Sequence, residues 1–309
     1  MIGEGVCKNL EVVYLENDNI KTVIIPKLGG KIFSLYDKKK DFELIYQNKI
    51  SNFKEPDESS YYNECNICGF DDLFPTVDEC MVNIKGKKIK YPDHGEIWKK
   101  SMSYSIDEEN LYMECESDIL PYKYQKTISL YKRGINIQYR IENTGEYDFP
   151  CIWASNFQVN CTDDIDINLP GDINEVINVR NSKILGRKYV IHPFPITMSE
   201  DGSILRLDKI TLESKDYNEK YYALEPVEKG KAYIYYGDND IKYKLKYNKN
   251  ALPYIGLSIN QDKEDGKYLC SLILTNGFHD DINTAISNKK IYTLKKNETL
   301  EFEVSITLK

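Results

Sequence analysis

YKYQKTISLYKRGINIQYRIEN, Tyr122 to Asn143, holds two runs of alternating apolar and polar residues broken by Lys132-Arg133-Gly134. Successive side chains on a strand point to opposite faces, so Tyr122, Tyr124 and Ile128, and then Ile135, Ile137 and Ile141, each mark one buried face. The basic pair with glycine between them is a turn signal. The same pattern recurs upstream in KTVIIP, GGKIFSLYD, SMSYSID and NLYMECES, and downstream in KAYIYYGD, IKYKLKYN, PYIGLSIN, YLCSLILT and LEFEVSITL. Turn signals separate these runs at Leu28-Gly29-Gly30, Asn143-Thr144-Gly145 and Asp238-Asn239-Asp240. Helical periodicity over ten residues or more is nearly absent, and only a helical turn or two is expected between Asp37 and Phe53. The 25 tyrosines fit the same reading, since aromatic side chains favour strands.

The composition is continuous along all 309 residues, with no Pro- or Ser-rich linker and no repeat at solenoid or blade spacing. One all-β domain spanning residues 1–309 is expected, a single large antiparallel β-sandwich, because all-β domains can exceed the usual domain length. The longest polar, irregular passage runs from about Glu55 to Pro92. It is expected to fold as a loop over a concave sheet, where long loops on a rigid scaffold tend to carry function.

Apolar residues make up 41% and charged residues 29% of the chain, enough for a sizeable core. The net charge of -8 disfavours nucleic acid and anionic membrane as partners. The arginines, Arg133, Arg140, Arg180, Arg187 and Arg206, form no cluster in sequence, so no dedicated phosphate site is indicated. The amino terminus lacks a signal-like apolar run, and no stretch reaches the ~20 apolar residues of a membrane span. With eight dispersed cysteines, this favours reduced thiols in a cytoplasm. Cys65-x2-Cys68 with Cys80 lacks a fourth ligand at useful spacing, so no metal and no cofactor is expected.

PDHGEIW, Pro92 to Trp98, follows GFDDLFPT, Gly69 to Thr76, and carries one of only three histidines. Proline and glycine flank His94 and place it in a turn. There an imidazole between Asp93 and Glu96, with aromatic residues around it, suits a polar pocket; the alternative is a surface histidine paired with an acidic neighbour. Asp71 and Asp72 could accept hydrogen bonds from hydroxyls or simply shape a turn. Trp98, Phe74 and Trp153 offer flat apolar faces, although a buried core position is the commoner fate of such rings. His192, in VIHPFP, is expected to decorate a connection, and His279 lies at a strand end beside Asp280.

Several of these runs, in order, resemble the aldose 1-epimerase (galactose mutarotase) superfamily. IPKLGGKIFSLYD with FELIY (residues 25–46) is similar to the opening of that family, and GFDDLFPT to its Gly-Trp-Asp-Glu-x-Phe-Pro-Thr run. PDHGEIW matches the family's Pro-Asp-His-Gly-Glu-x-Trp segment almost letter for letter. NTGEYDFPCIWASNFQ resembles its Trp-Ala-x-His-Pro strand, SLILTNGFHDDINTA its Leu-Glu-Pro run, and LKKNETLEFEVSITL its ending. The resemblance implies a galactose mutarotase-like β-supersandwich, a free aldohexose or related sugar as partner, and anomer interconversion as the chemistry. In the family a glutamate acts as base, the strand histidine as acid, and a second histidine binds the ring. A positioned proton carrier of this kind is worth roughly 10²–10⁴-fold in rate.

The chain departs from that pattern at both catalytic places. Asn156 stands where the strand histidine belongs, and an amide cannot transfer a proton at neutral pH. Ile273 stands where the glutamate belongs, and a hydrocarbon cannot act as a base. His94 alone keeps its family position, so it is the candidate catalytic residue. Asp71, Asp72, His94, Glu96, Trp98, Trp153, Asn156 and His279 form the candidate sugar-binding set. A second Leu-Glu-Pro string at Glu225 lies about 50 residues too early and reads as coincidence. Three functions stay open: a sugar-binding or sensing protein without turnover, an anomer isomerase using His94, and a β-sandwich hydrolase or lyase using carboxylates among Asp71, Asp72, Glu79 and Glu96.

Overall fold

The strands expected from alternation are present in a computed structural model, which describes all residues except 50, 66–67, 163, 211–216 and 263–266. Tyr122–Leu130 pairs with Gly134–Asn143 across the Lys132-Arg133 turn, with Ile128 opposite Ile137. Lys132 adopts a left-handed backbone there (φ 55°). Among the described residues the strands form a twelve-stranded sheet, a nine-stranded sheet and three two-stranded ribbons. Every strand pairing within these sheets is antiparallel. One α-helix is present among them, Ile282–Ser287, capped by the Asp281 carboxylate accepting from Thr284 N at 2.7 Å.

The two sheets pack face to face, and alternation decides what lies between them. Phe157, Leu272 and Leu257 of the large sheet are buried in one continuous core with Ile128, Ile137 and Val304 of the other. Polar side chains also cross this layer. Trp153 Nε1 donates to Tyr124 Oη at 2.9 Å, and its ring lies edge-on to Phe302. Lys126 Nζ donates to Asp72 at 2.8 Å, and Tyr139 Oη donates to the same carboxylate at 2.9 Å.

Two expectations are corrected. Between Asp37 and Phe53 the chain forms no helix among the described residues. Phe42–Glu43 pairs with the Lys31–Asp37 strand, and Ile45 bridges to Val159. The passage from Glu55 to Pro92 is not one irregular loop either. Phe70–Leu73 is a strand inside the large sheet, hydrogen-bonded to Ala154–Asn160, and Cys80–Ile84 forms a hairpin with Lys87–Tyr91. The strand at Phe70 escapes an alternation search because both of its faces bury charge: Asp71 pairs with Lys31 on one side and Asp72 with Lys126 on the other.

Candidate functional site

The twelve-stranded sheet places Phe157, Leu257 and Leu272 against the other sheet, so by the period of two their neighbours face outward. That outer face carries Asn156 and Gln158 from one strand, Ser271 and Ile273 from the next, then Ser258 and Asn260, then Asn218, Lys220 and Tyr222. These side chains line a cavity of about 440 Å³, closed at one end by Tyr62, Val77 and His94 and reached from the other by Arg180. The size suits a monosaccharide, and convergent polar groups on a pre-formed hollow are the usual form of a small-molecule site. A larger hollow of about 810 Å³ lies on the nine-stranded sheet, among Glu114, Arg140, Glu301 and Glu303. None of the candidate site residues read from the sequence lines it.

The turn expected at PDHGEIW sets His94 at the cavity wall. His94 and Gly95 both have left-handed backbones (φ 56° and 67°). His94 N donates to Val77 O at 2.6 Å and Glu96 N to Phe74 O at 2.8 Å, which binds the turn to the loop following the Phe70 strand. A Cβ on residue 95 would stand 2.2 Å from Phe74 O, so only glycine fits that close approach. The imidazole stacks on the Tyr62 ring at 4.4 Å, with its Nδ1 2.9 Å from Asp93 Oδ1. Burial works to raise the Asp93 carboxyl, but the imidazole beside it holds it below the ordinary aspartate value.

Behind this wall runs a fixed relay. Asn156 Nδ2 donates to Tyr62 Oη at 2.6 Å, Tyr62 Oη donates to Asp71 at 2.7 Å, and the Lys31 ammonium pairs with the same carboxylate. The wall formed by Lys220 and Tyr222 is held in a similar way. Asp280 is buried behind Lys220 and Tyr222, taking Lys220 Nζ at 2.6 Å and Tyr222 Oη at 2.6 Å. Burial pushes the Asp280 carboxyl up, but the lysine charge and these hydrogen bonds win and hold it below its usual value.

Several candidates do not reach the cavity. Asp71 stands behind Tyr62 as its hydrogen-bond acceptor. Asp72 faces the inter-sheet core, where burial raises its carboxyl against the opposing pull of Lys126. Glu96 is buried and accepts from Ser117 Oγ and from Tyr122 Oη at 2.6 Å, an anchor for the turn and not a ligand for a sugar. Trp98 donates Nε1 to Gly95 O at 3.2 Å beneath the turn, and Trp153 and Phe74 are core side chains. Glu79 pairs with Lys90 at the surface, which leaves Asp71, Asp72, Glu79 and Glu96 with no shared cleft for glycosidic cleavage.

His279 lies behind Tyr222 among Tyr189 and Phe278 rings, and burial drives its imidazole down to about 4, keeping it neutral. His192 is buried, not decorative, with Nε2 3.0 Å from Leu185 O. Glu225 is exposed beyond a strand end, near Lys290. Cys65 and Cys68 belong to different apolar clusters, and among the described residues no group of three histidine, cysteine or acidic side chains is placed to hold a metal ion.

His94, Asn156 and Ile273 thus line one cavity. Tyr62, Arg180, Asn218, Lys220, Tyr222 and Asn260 were missed. Their signal was present in YNEKYYA, Tyr217 to Ala223, whose alternation puts Asn218, Lys220 and Tyr222 on one face. The mixture of charge and aromatic residues on both faces conceals it.

A family model described as a domain of unknown function, DUF5107, matches residues 3–76. The Slr1438 protein of Synechocystis sp. PCC 6803 superposes with a TM-score of 0.72 at 16% identity, over 96% of this chain and 95% of that one. A galactose mutarotase-like protein of Lactobacillus casei ATCC 334 gives 0.69 at 14%, covering 96% and 100%. A galactose mutarotase related enzyme of Lactobacillus acidophilus gives 0.66 at 15%, covering 96% and 97%. Two antiparallel sheets, a cavity on the outer face of the larger one and these full-length superpositions lead to one conclusion: the chain has the galactose mutarotase-like fold.

Proposed function

We propose that this protein binds a monosaccharide in the cavity on the twelve-stranded sheet, as a member of the sugar mutarotase class whose usual pair of proton carriers has been replaced. The observation that carries this reading is the side-chain set on the outer face. Asn156, Asn218, Asn260, Gln158, Ser258 and Ser271 supply neutral donors and acceptors matched to hydroxyl groups, while Tyr62 and His94 close the end with stacked rings. Asn156 and Ile273 both face the cavity, so at these two places its wall offers an amide and a hydrocarbon in place of a proton carrier. Binding without turnover follows from that pair.

A second reading is favoured by one specific arrangement. His94 and Lys220 face the same cavity, one an imidazole that can accept a proton and the other an ammonium that can donate one. An anomer isomerase could be rebuilt on them. Proton NMR of freshly dissolved α-D-glucose and α-D-galactose separates the two. Binding alone predicts saturable chemical-shift changes in the cavity with equilibration at the uncatalysed rate. Acceleration that His94→Ala abolishes would establish the isomerase instead. Absence of any shift change up to millimolar sugar, across a panel of monosaccharides, would remove both readings.

A further inference from the structure

The chain carries 49 acidic residues against 41 basic ones, yet no aspartate or glutamate side chain lines this cavity, while Arg180, Lys220 and His94 do. Two of these three have a carboxylate beside them. Lys220 is matched by Asp280 at 2.6 Å and His94 by Asp93 at 2.9 Å. Arg180 is different: its guanidinium donates to the amide oxygen of Asn218, and among the described residues no carboxylate lies within ion-pair distance of it. Arg133, Arg140 and Arg206 each have such a partner. Glu219 sits on the same strand as Lys220 but on the opposite face. Burial raises its carboxyl to about 7 against the pull of the Arg180 charge, which acts on it from beyond ion-pair distance.

The arginine is also held in place. Asn178 is wholly buried and donates its Nδ2 to Arg180 O at 3.2 Å, while Val179 N donates to Lys220 O at 2.9 Å. These bonds fix the backbone from which the guanidinium reaches into the cavity. An arginine offers five donors in a planar fork and no acceptor. One donor is used on Asn218, and the fork otherwise faces a cavity whose neutral walls are amides and hydroxyls.

Resting on the sugar-binding reading above, we infer that the preferred ligand is a sugar acid of the uronate type, with its carboxylate received by Arg180 and the adjoining Asn218 and Asn260 side chains. A carboxylate fits better than a phosphoryl group because the site has about one unmatched positive charge, against roughly 1.5 to 2 negative charges on a phosphate monoester. Nor do helix N-termini or glycine-rich loops stand among the lining residues to take the remainder.

Isothermal titration of the full chain with D-glucuronate, D-galacturonate, D-glucose, D-galactose, D-glucose 6-phosphate and acetate tests this. A uronate should bind about tenfold or more tighter than the matching neutral hexose, as one charge-assisted hydrogen-bonded pair implies. The advantage should shrink as salt is raised. Arg180→Gln should bring the uronate close to the level of the neutral sugar, with a clearly smaller change in the affinity for the neutral sugar itself. Arg180→Lys, keeping charge but losing the fork, should fall between them. Equal affinity of wild-type protein for uronate and hexose would overturn the inference while leaving the sugar site intact. Tighter binding of glucose 6-phosphate than of either uronate would overturn the carboxylate assignment, and acetate binding as tightly as the uronates would show an anion site without sugar recognition. If no sugar of any kind binds, the reading beneath it fails.

Discussion

Tyr62 shows how much one side chain can organise. Its ring supports the His94 imidazole, its edge rests on Trp98, and its hydroxyl joins Asn156 to the Lys31–Asp71 pair. Asn156, an acid position by resemblance, is therefore already engaged as a donor. At the same scale, Glu219 makes a pH-dependent prediction. An unfolded glutamate releases its proton near 4.5, whereas the buried carboxyl keeps its proton to about 7, so between those values the native state binds more protons. Its contribution is fully present below pH 4.5 and is lost as pH rises through 7. His279 opposes it. The unfolded imidazole takes a proton near 6.5 and the native one only near 4, so stability falls on acidification across that window. Thermal melts of wild type and Glu219→Gln should therefore nearly coincide at pH 4.5, with the variant melting higher by pH 8. A difference independent of pH would contradict this account.

Among the elements, the short Phe70–Leu73 strand has the largest burden. It extends the large sheet beside Ala154–Asn160, sends Asp71 toward the site and sends Asp72 through to the other sheet. Removing one member of a buried ion pair leaves the other charge uncompensated, at a cost of about 3–5 kcal/mol, whereas replacing both with apolar side chains is often close to neutral. Asp72→Ala should thus destabilise by that amount in urea denaturation. The double variant Asp72→Leu with Lys126→Met should recover most of the loss. Additive losses in the double variant would mean that the pair is not acting as a unit. The cation also lies near the Phe70 and Tyr139 rings, so some loss of packing is expected to remain.

Across the whole molecule, one apolar cluster runs through both sheets, and the two tryptophans sample different parts of it. Trp98 lies under the His94 turn, and Trp153 is packed between the sheets against Phe302 and Tyr139. A shared core predicts a shared transition. Urea unfolding followed by tryptophan fluorescence and by far-ultraviolet circular dichroism should give coincident midpoints for Trp98→Phe, Trp153→Phe and wild type alike, after allowance for each variant's own stability. Separate midpoints by the two probes would show that the site-bearing sheet and its partner unfold independently.

Alternation along the chain was enough to determine an antiparallel β-protein, because the period of two is a property of each strand alone; Tyr122–Leu130 and Gly134–Asn143 could be read without their neighbours. PDHGEIW likewise disclosed His94 locally, since its turn is written in adjacent proline and glycine. What only the tertiary structure decided is which carboxylates meet the cavity and which lie behind it. Asp71 and Asp72 are neighbours in sequence but face opposite layers, and Glu96 is drawn inward by Tyr122. The cavity wall made by Lys220 and Tyr222 comes from one strand and Arg180 from just past the end of its neighbour, both held in place by pairings tens of residues away. Desolvation and ion pairing depend on those long-range neighbours, so the charges of the site became readable only once the sheets were assembled.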